Sequence, residues 1–268
     1  MPIDINGDAL AQPGLPPHGD AHITVRGLTM AYGSFVLMRD LDFDIQRRDI
    51  FFIIGGSGSG KSTLLRHMLG LKAAARGEIR IDGEVVSADP DQMRDMLRRV
   101  GVLYQSGALW SALTLQENVA VPLEEFTDLD ADEIERVASL KLALVGLAGF
   151  ESYYPSEISG GMQKRAGLAR AMALDPEILF VDEPSAGLDP LSSRRLDDLI
   201  LELRESLGAT VVIVSHELPS IFGIATNCVF LDAETRTQIA TGDPRQLRDH
   251  SQHHRVREFL NRGELGEG

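Results

Sequence analysis

Residues 51–69 read FFIIGGSGSGKSTLLRHML, and this stretch limits the fold more than any other. Four apolar residues run without a polar break. Gly55-Gly56-Ser57-Gly58-Ser59-Gly60-Lys61-Ser62 then matches G-x-x-x-x-G-K-S/T, and a helix-forming stretch follows at once. A strand with one wet face alternates polar and apolar residues; an unbroken apolar run marks a strand covered on both faces, as in parallel sheets. EILFVDEP (177–184) and TVVIVSHE (210–217) have the same texture. Each run ends on glycine or polar residues and leads into a helical stretch, so the chain predicts a parallel α/β core with its chemistry at the carboxyl ends of the strands.

Other segments read differently. HITVRGLTM (22–30) and FVLMRDLDFDI (35–45) alternate, and GEIRIDGEVV (77–86) reads as a hairpin about Asp82-Gly83, a type I′ turn signal. Between Gln105 and Asp175 the pattern becomes helical. LTLQENVAVPL carries a capping box from Thr114 to Glu117, and residues 128–147 form an acidic amphipathic helix. SGGMQKRAGLARAMALDP is Ala-rich, and Pro176 is expected to stop its helix. The expected organisation is a lead-in over 1–20, a main domain over 21–245 with a helical lobe at about 106–175, and a helical tail over 246–268. The lead-in is rich in Pro and Gly, holds three Asp and no Lys or Arg, and is expected to be disordered. It does not read as a secretory signal.

The net charge of −14 argues against wrapping nucleic acid, which needs a basic face. Cys228 is the one cysteine; it reads as a small buried residue, and a reducing compartment fits. No apolar run approaches the ~20 residues needed to span a bilayer.

The chemistry follows from residue types and spacing. Glycines let the 55–62 backbone curl so that its N–H groups surround phosphate oxygens, and the helix N-terminus adds partial positive charge. Residues Gly55, Gly56, Ser57, Gly58, Ser59, Gly60, Lys61, Ser62 and Thr63 therefore read as a nucleotide-phosphate site. Lys61 is expected to reach the β- and γ-phosphates and Ser62 to hold Mg²⁺. Asp182, ending a buried strand, is placed to hold the same ion, and Glu183 to act as general base toward water. Gln105, after the strand VGVLY, is either a metal and water ligand or a plain strand-end amide. His216 alone would read as a core histidine; beside the other motifs it reads as a γ-phosphate sensor. Tyr32 either stacks on adenine or packs in its loop. Asp189 either meets a second subunit or caps the next helix. Ser159 caps a helix whose Gly160 and Gly161 allow an anion to approach the backbone.

Taken in order, Tyr32, the loop at 55–62, Gln105, SGGMQKR, ILFVDEP, SAGLD and His216 resemble the ATPase subunits of ABC transporters over about residues 22–245. Within that superfamily, GGSGSGKSTLLRHMLGL, LYQSGALWSALTLQENVAVPL and SGGMQKRAGLARAMALDPEILFVDEPSAGLDP are similar to the Mce/Mla-type phospholipid-transport ATPases. Gly56, Ile158 and Met162 stand where proline, leucine and glutamine are common, and Met162 puts a polar contact from that position in doubt. The resemblance implies a P-loop NTPase of the ABC-ATPase fold: a parallel-sheet core, an antiparallel β lobe and an inserted helical lobe. It implies ATP and Mg²⁺ as ligands, with Glu183, His216 and Gln105 catalytic and Ser62, Gln105 and Asp182 at the metal. It also implies a second copy of the chain, whose nucleotide would be met by Ser159, Gly160, Gly161 and Asp189.

Further implied partners are a membrane permease (MlaE-like), an MCE-domain substrate-binding subunit (MlaD-like) and a small STAS-domain subunit (MlaB-like). The implied place is the cytoplasmic face of the inner membrane, and the implied role is phospholipid movement between inner and outer membranes. The segment from Gln105 to Pro122 is the expected docking groove, with Leu109 and Trp110 either contacting the permease or packing in the lobe. Another cargo is the nearer alternative. A soluble repair or translation ATPase is disfavoured by the short, cysteine-free lobe and the single cassette. In the tail, Val256, Phe259 and Leu260 share one helical face, expected to dock on a second protomer or accessory subunit. His250, His253 and His254 read as a solvated face rather than a metal site.

Overall fold

The three unbroken apolar runs lie side by side. In the computed structural model, which describes residues 21–262, they are β3 (Ile50–Gly55), β7 (Ile178–Asp182) and β8 (Thr210–Val214). With β6 (Val100–Leu103), β9 (Asn227–Asp232) and β10 (Thr237–Gly242) they form a six-stranded sheet in the order β10-β9-β3-β8-β7-β6. All neighbours are parallel except β10, which runs antiparallel to β9. Successive residues of β3 enter two different cores. Ile50, Phe52 and Ile54 join one apolar cluster and Phe51 and Ile53 the other, which is why the run shows no alternation.

One face carries α1 (Lys61–Met68) and a four-stranded antiparallel sheet ordered β2-β1-β4-β5. Its strands are β1 (Ala21–Tyr32), β2 (Phe35–Gln46), β4 (Arg76–Ile81) and β5 (Glu84–Val85). Phe43 of β2 stacks on Phe51 of β3, centroids 5.6 Å apart, and each ring buried this way contributes roughly 1.5–3 kcal/mol. Asp82 and Gly83 both take positive φ, 49° and 80°, so the β4–β5 turn is the expected type I′. Where the two sheets meet, His22 is buried with Nδ1 2.7 Å from Thr210 Oγ1. Its Nε2 lies 3.7 Å from Asp82 and 3.8 Å from Glu177. Those three residues could offer metal-ligand atoms, but both carboxylates are taken by the guanidinium groups of Arg47 and Arg99, so the cluster is an ion-pair clasp across the seam.

The other face is helical. It carries α3 (Leu115–Phe126), α4 (Ala131–Leu144), α5 (Gly160–Ala171), α6 (Pro190–Leu207) and α7 (Leu218–Ile224). The Thr114–Glu117 capping box is present, and Asp130–Glu133 forms a second one, each cap worth about 1 kcal/mol. Elsewhere α2 (Pro90–Arg99) precedes β6, and α8 (Pro244–His250) and α9 (His254–Asn261) end the described chain. Helix α5 approaches β6 so closely that a Cβ on Gly101 would lie 2.1 Å from the Ala171 carbonyl.

Two expectations need correction. Helix α5 closes at Ala171, before Pro176; a turn through Met172 and left-handed Asp175 ends it first. Leu109, left open between permease contact and lobe packing, is half-buried against the helical-face core. The tail stripe is buried in its own chain: Val256 and Leu260 are 0% and 1% exposed, and Phe259 meets Phe230 edge-on at 5.2 Å. The turn at Ser251 folds α9 back onto the end of β9, where Arg255 pairs with Asp232, so no second chain is needed to cover it. His250, His253 and His254 are exposed. The lead-in over 1–20 lies outside the described residues. Cys228 is buried and its thiol is pushed up to about 12, first by burial and then by Asp243.

Candidate functional site

β3 ends beside β9, and the turn there admits only glycine. Gly55 has φ 146°, and a Cβ on it would meet the Leu231 carbonyl oxygen at 2.3 Å. The loop continues through left-handed Gly58 and Gly60, and Gly60 opens α1 with no side-chain cap, so the first N–H groups of the helix remain available to an anion. Ser59 is fully buried and its Oγ lacks a hydrogen-bond partner. Lys61 Nζ donates to the carbonyls of Gly55 and Gly56, both at 3.0 Å, so the ammonium is folded over the mouth of the loop. Burial lowers its pKa, and nearby Arg262 works in the same direction.

The ends of β3, β7 and β8 bring the acidic groups to this loop. Ser62 Oγ donates to Asp182 Oδ1 at 3.1 Å. Burial raises the Asp182 carboxyl, so a cation there would remove a standing cost. A hydroxyl and a carboxylate in contact are the hard oxygen donors that Mg²⁺ takes, so this pair fits the ion. Glu183 follows in a left-handed conformation, φ 47°, with its amide donating to the Val214 carbonyl at 2.8 Å. Both oxygens of its carboxylate lie 2.9 Å from His216 Nδ1. His216 lies just beyond β8 and is half-exposed.

Tyr32 joins the site at its rim. Its hydroxyl is 3.3 Å from Thr63 Oγ1, and Lys72 Nζ sits over its ring, 2.9 Å from the centroid. The remaining expected residues stand apart. Gln105 is exposed in a turn two residues beyond β6. Ser159 caps α5, accepting from the Met162 amide at 3.3 Å, and both Ser159 and Gly160 are exposed. Asp189 caps α6, accepting from Leu191 and Ser192 amides at 3.0 Å. Among the described residues no hydrogen bond or ion pair joins Gln105, Ser159, Gly160, Gly161 or Asp189 to the loop at 55–63.

Residues 38–186 match the family model described as ABC transporter. The chain belongs to the ABC transporter ATPase family. It is therefore an ATP-binding ATP hydrolase. It is 39% identical over 259 residues to the probable ribonucleotide transport ATP-binding protein mkl of Mycobacterium leprae, covering 96% of this chain and 74% of the relative. It is 38% identical over 239 residues to the intermembrane phospholipid transport system ATP-binding protein MlaF of Escherichia coli K12, covering 89% of this chain and 88% of the relative. Among solved structures it is similar to the ATP-binding cassette MJ0796 in a dimeric, post-hydrolysis state bound to ADP and Pi. That match has a TM-score of 0.74 and 27% identity, covering 82% of this chain and 98% of the other.

This ABC ATPase also uses residues to which the sequence reading assigned no role. Lys164 of α5 is buried and donates to the carbonyls of Pro184 at 2.6 Å and Ala186 at 2.8 Å, tying the Ser159 helix to the segment after Glu183. Asn118, also buried, exchanges hydrogen bonds with both the amide and the carbonyl of Trp110 and so fixes that residue's loop. No spacing rule marks either side chain, because their partners are backbone groups of irregular segments. Trp110 itself, 53% exposed, borders a cavity of about 550 Å³ lined by Val102, Tyr104, Val121, Pro122 and Phe126.

Proposed function

We propose that this ABC ATPase drives a phospholipid transporter, bound at the cytoplasmic face of the inner membrane and working as a pair of copies. The observation that carries the catalytic half is the placement of two couples, Ser62–Asp182 and Glu183–His216, at adjacent strand ends beside an uncapped helix N-terminus. The loop amides and the N-terminus of α1 hold the ATP phosphates, and Lys61 leaves the Gly55 and Gly56 carbonyls to reach the β- and γ-phosphates. Ser62 and Asp182, with Gln105, would hold Mg²⁺, which when bound neutralises phosphate charge. Glu183 takes the proton of the attacking water as the water oxygen bonds to the γ-phosphorus and the bridge to the β-phosphate breaks. His216 steadies the carboxylate through Nδ1. Tyr32 offers its outer ring face to adenine.

Ser159, Gly160, Gly161 and Asp189 act on the partner's nucleotide. The exposure of Ser159, Gly160 and Asp189, and the separation of all four residues from this chain's own loop, support that reading. ATP then holds two copies together, and hydrolysis releases them, a ligand-biased two-state element. No helix of the described residues is long and apolar enough to cross a membrane, which supports a separate MlaE-like permease docked in the Trp110 cavity. MCE-domain (MlaD-like) and STAS-domain (MlaB-like) subunits complete the proposed assembly.

The phospholipid relatives align over nearly the full length of both chains, which favours that cargo. The mkl relatives carry the competing reading, a ribonucleotide cargo. Purification of the intact membrane complex, with mass spectrometry of its subunits and bound small molecules, separates the two. Phospholipid with an MCE-domain subunit is expected; a nucleotide-binding cargo subunit without lipid would overturn the proposal.

A further inference from the structure

The C-terminal helix ends beside the hydrolytic pair. Val256 and Leu260 anchor α9 in the core, Phe259 packs on Phe230, and Arg255 pairs with Asp232 at 2.9 Å. These contacts deliver Arg262, the residue that ends α9, to the loop between β8 and α7. Its guanidinium donates to the backbone carbonyl of His216 and lies over the Phe259 ring, 4.2 Å from the centroid. A cavity of about 390 Å³ separates α9 from the phosphate loop, lined by Gly56, Phe230, Asp232, Arg255, Phe259 and Arg262. The charge of Arg262 also reaches Lys61, adding to the effect of burial on that ammonium.

His216 needs such support. It sits on a short connection between β8 and α7, half-exposed, with Nδ1 2.9 Å from the Glu183 carboxylate and Nε2 3.5 Å from that of Glu217, so the ring is shared between two carboxylates. Fixing its carbonyl fixes the point about which the side chain turns.

We propose that Arg262 is a positioning residue for hydrolysis: by holding the His216 carbonyl it keeps the imidazole against Glu183, so turnover depends on α9 being docked. The inference deepens the catalytic assignment of Glu183 and His216 and rests on it.

The test uses the full-length chain. Arg262→Met keeps a hydrocarbon stem over Phe259 and removes the donors; Arg262→Lys restores one. Arg262→Met is expected to lower kcat about tenfold with KM for ATP within about twofold, and Arg262→Lys to recover roughly half the rate. In nucleotide-free protein, amide exchange over residues 215–218 should quicken in Arg262→Met while that of β8 and α1 does not. In a His216→Ala background, adding Arg262→Met should lower the residual single-turnover rate by less than about twofold, because there is no imidazole left to place. An unchanged kcat, equal losses in both backgrounds, or exchange that quickens throughout the chain would each overturn the proposal. If Glu183→Gln and His216→Ala hydrolyse ATP normally, the catalytic assignment itself fails. If they are inactive while Arg262→Met is normal, only the role of Arg262 fails.

Discussion

Glu183 occupies a backbone conformation that costs a non-glycine residue roughly 1–3 kcal/mol, and the Val214 carbonyl and His216 imidazole hold it there. Glu183→Gln keeps shape and removes the proposed base. Its steady-state phosphate release should fall about 10²–10⁴-fold while ATP still binds; normal turnover would remove Glu183 from the mechanism. The buried histidines set a pH response of stability. Burial holds both His22 and His67 below the ordinary 6.5, helped at His22 by Arg47 and at His67 by Lys72. Below 6.5 the unfolded chain therefore binds protons that the folded chain refuses, and stability falls as pH drops from 6.5 through the lowered folded values. Urea melts between pH 7.5 and 5.5 should show this slope, and His22→Gln should flatten it. An equal slope in the variant would assign the response elsewhere.

Helix α9 belongs to the core that it covers, as its two fully buried side chains show. Val256→Asp places an unpaired carboxylate in that core and should destabilise the chain by about 3 kcal/mol, read as a lower thermal midpoint. An unchanged melt would mean that α9 leaves the core at little cost. Periodicity identified the stripe on this helix but not its partner, since spacing says which residues share a face and nothing about what meets it. The same limit applies to α5, whose end is set by a turn at Asp175 rather than by the proline that the eye catches first.

At the scale of the whole molecule, the proposed pairing would give each chain half of two sites. Its phosphate loop faces its own strand ends, while the N-terminus of α5 stands exposed and, among the described residues, makes no hydrogen bond to that loop. Ser159→Arg should therefore leave ATP binding to the isolated chain intact, by fluorescent-nucleotide titration, yet lower hydrolysis at least about tenfold. Equal loss of binding would place the residue at its own nucleotide. The Glu183→Gln chain should elute as a dimer only with ATP; a monomer at saturating ATP would count against the paired site. What was legible in the sequence was local: the phosphate loop, the buried parallel strands, the type I′ turn, the caps and the acidic pair, all of them dictated by backbone chemistry at fixed spacing. Tertiary structure alone decided that His216 meets Glu183 across 33 residues, that Lys164 clasps the segment after Glu183, and that Arg262 reaches the His216 carbonyl across 46. Those contacts join side chains to loops through strand order and helix docking, which no short-range pattern encodes.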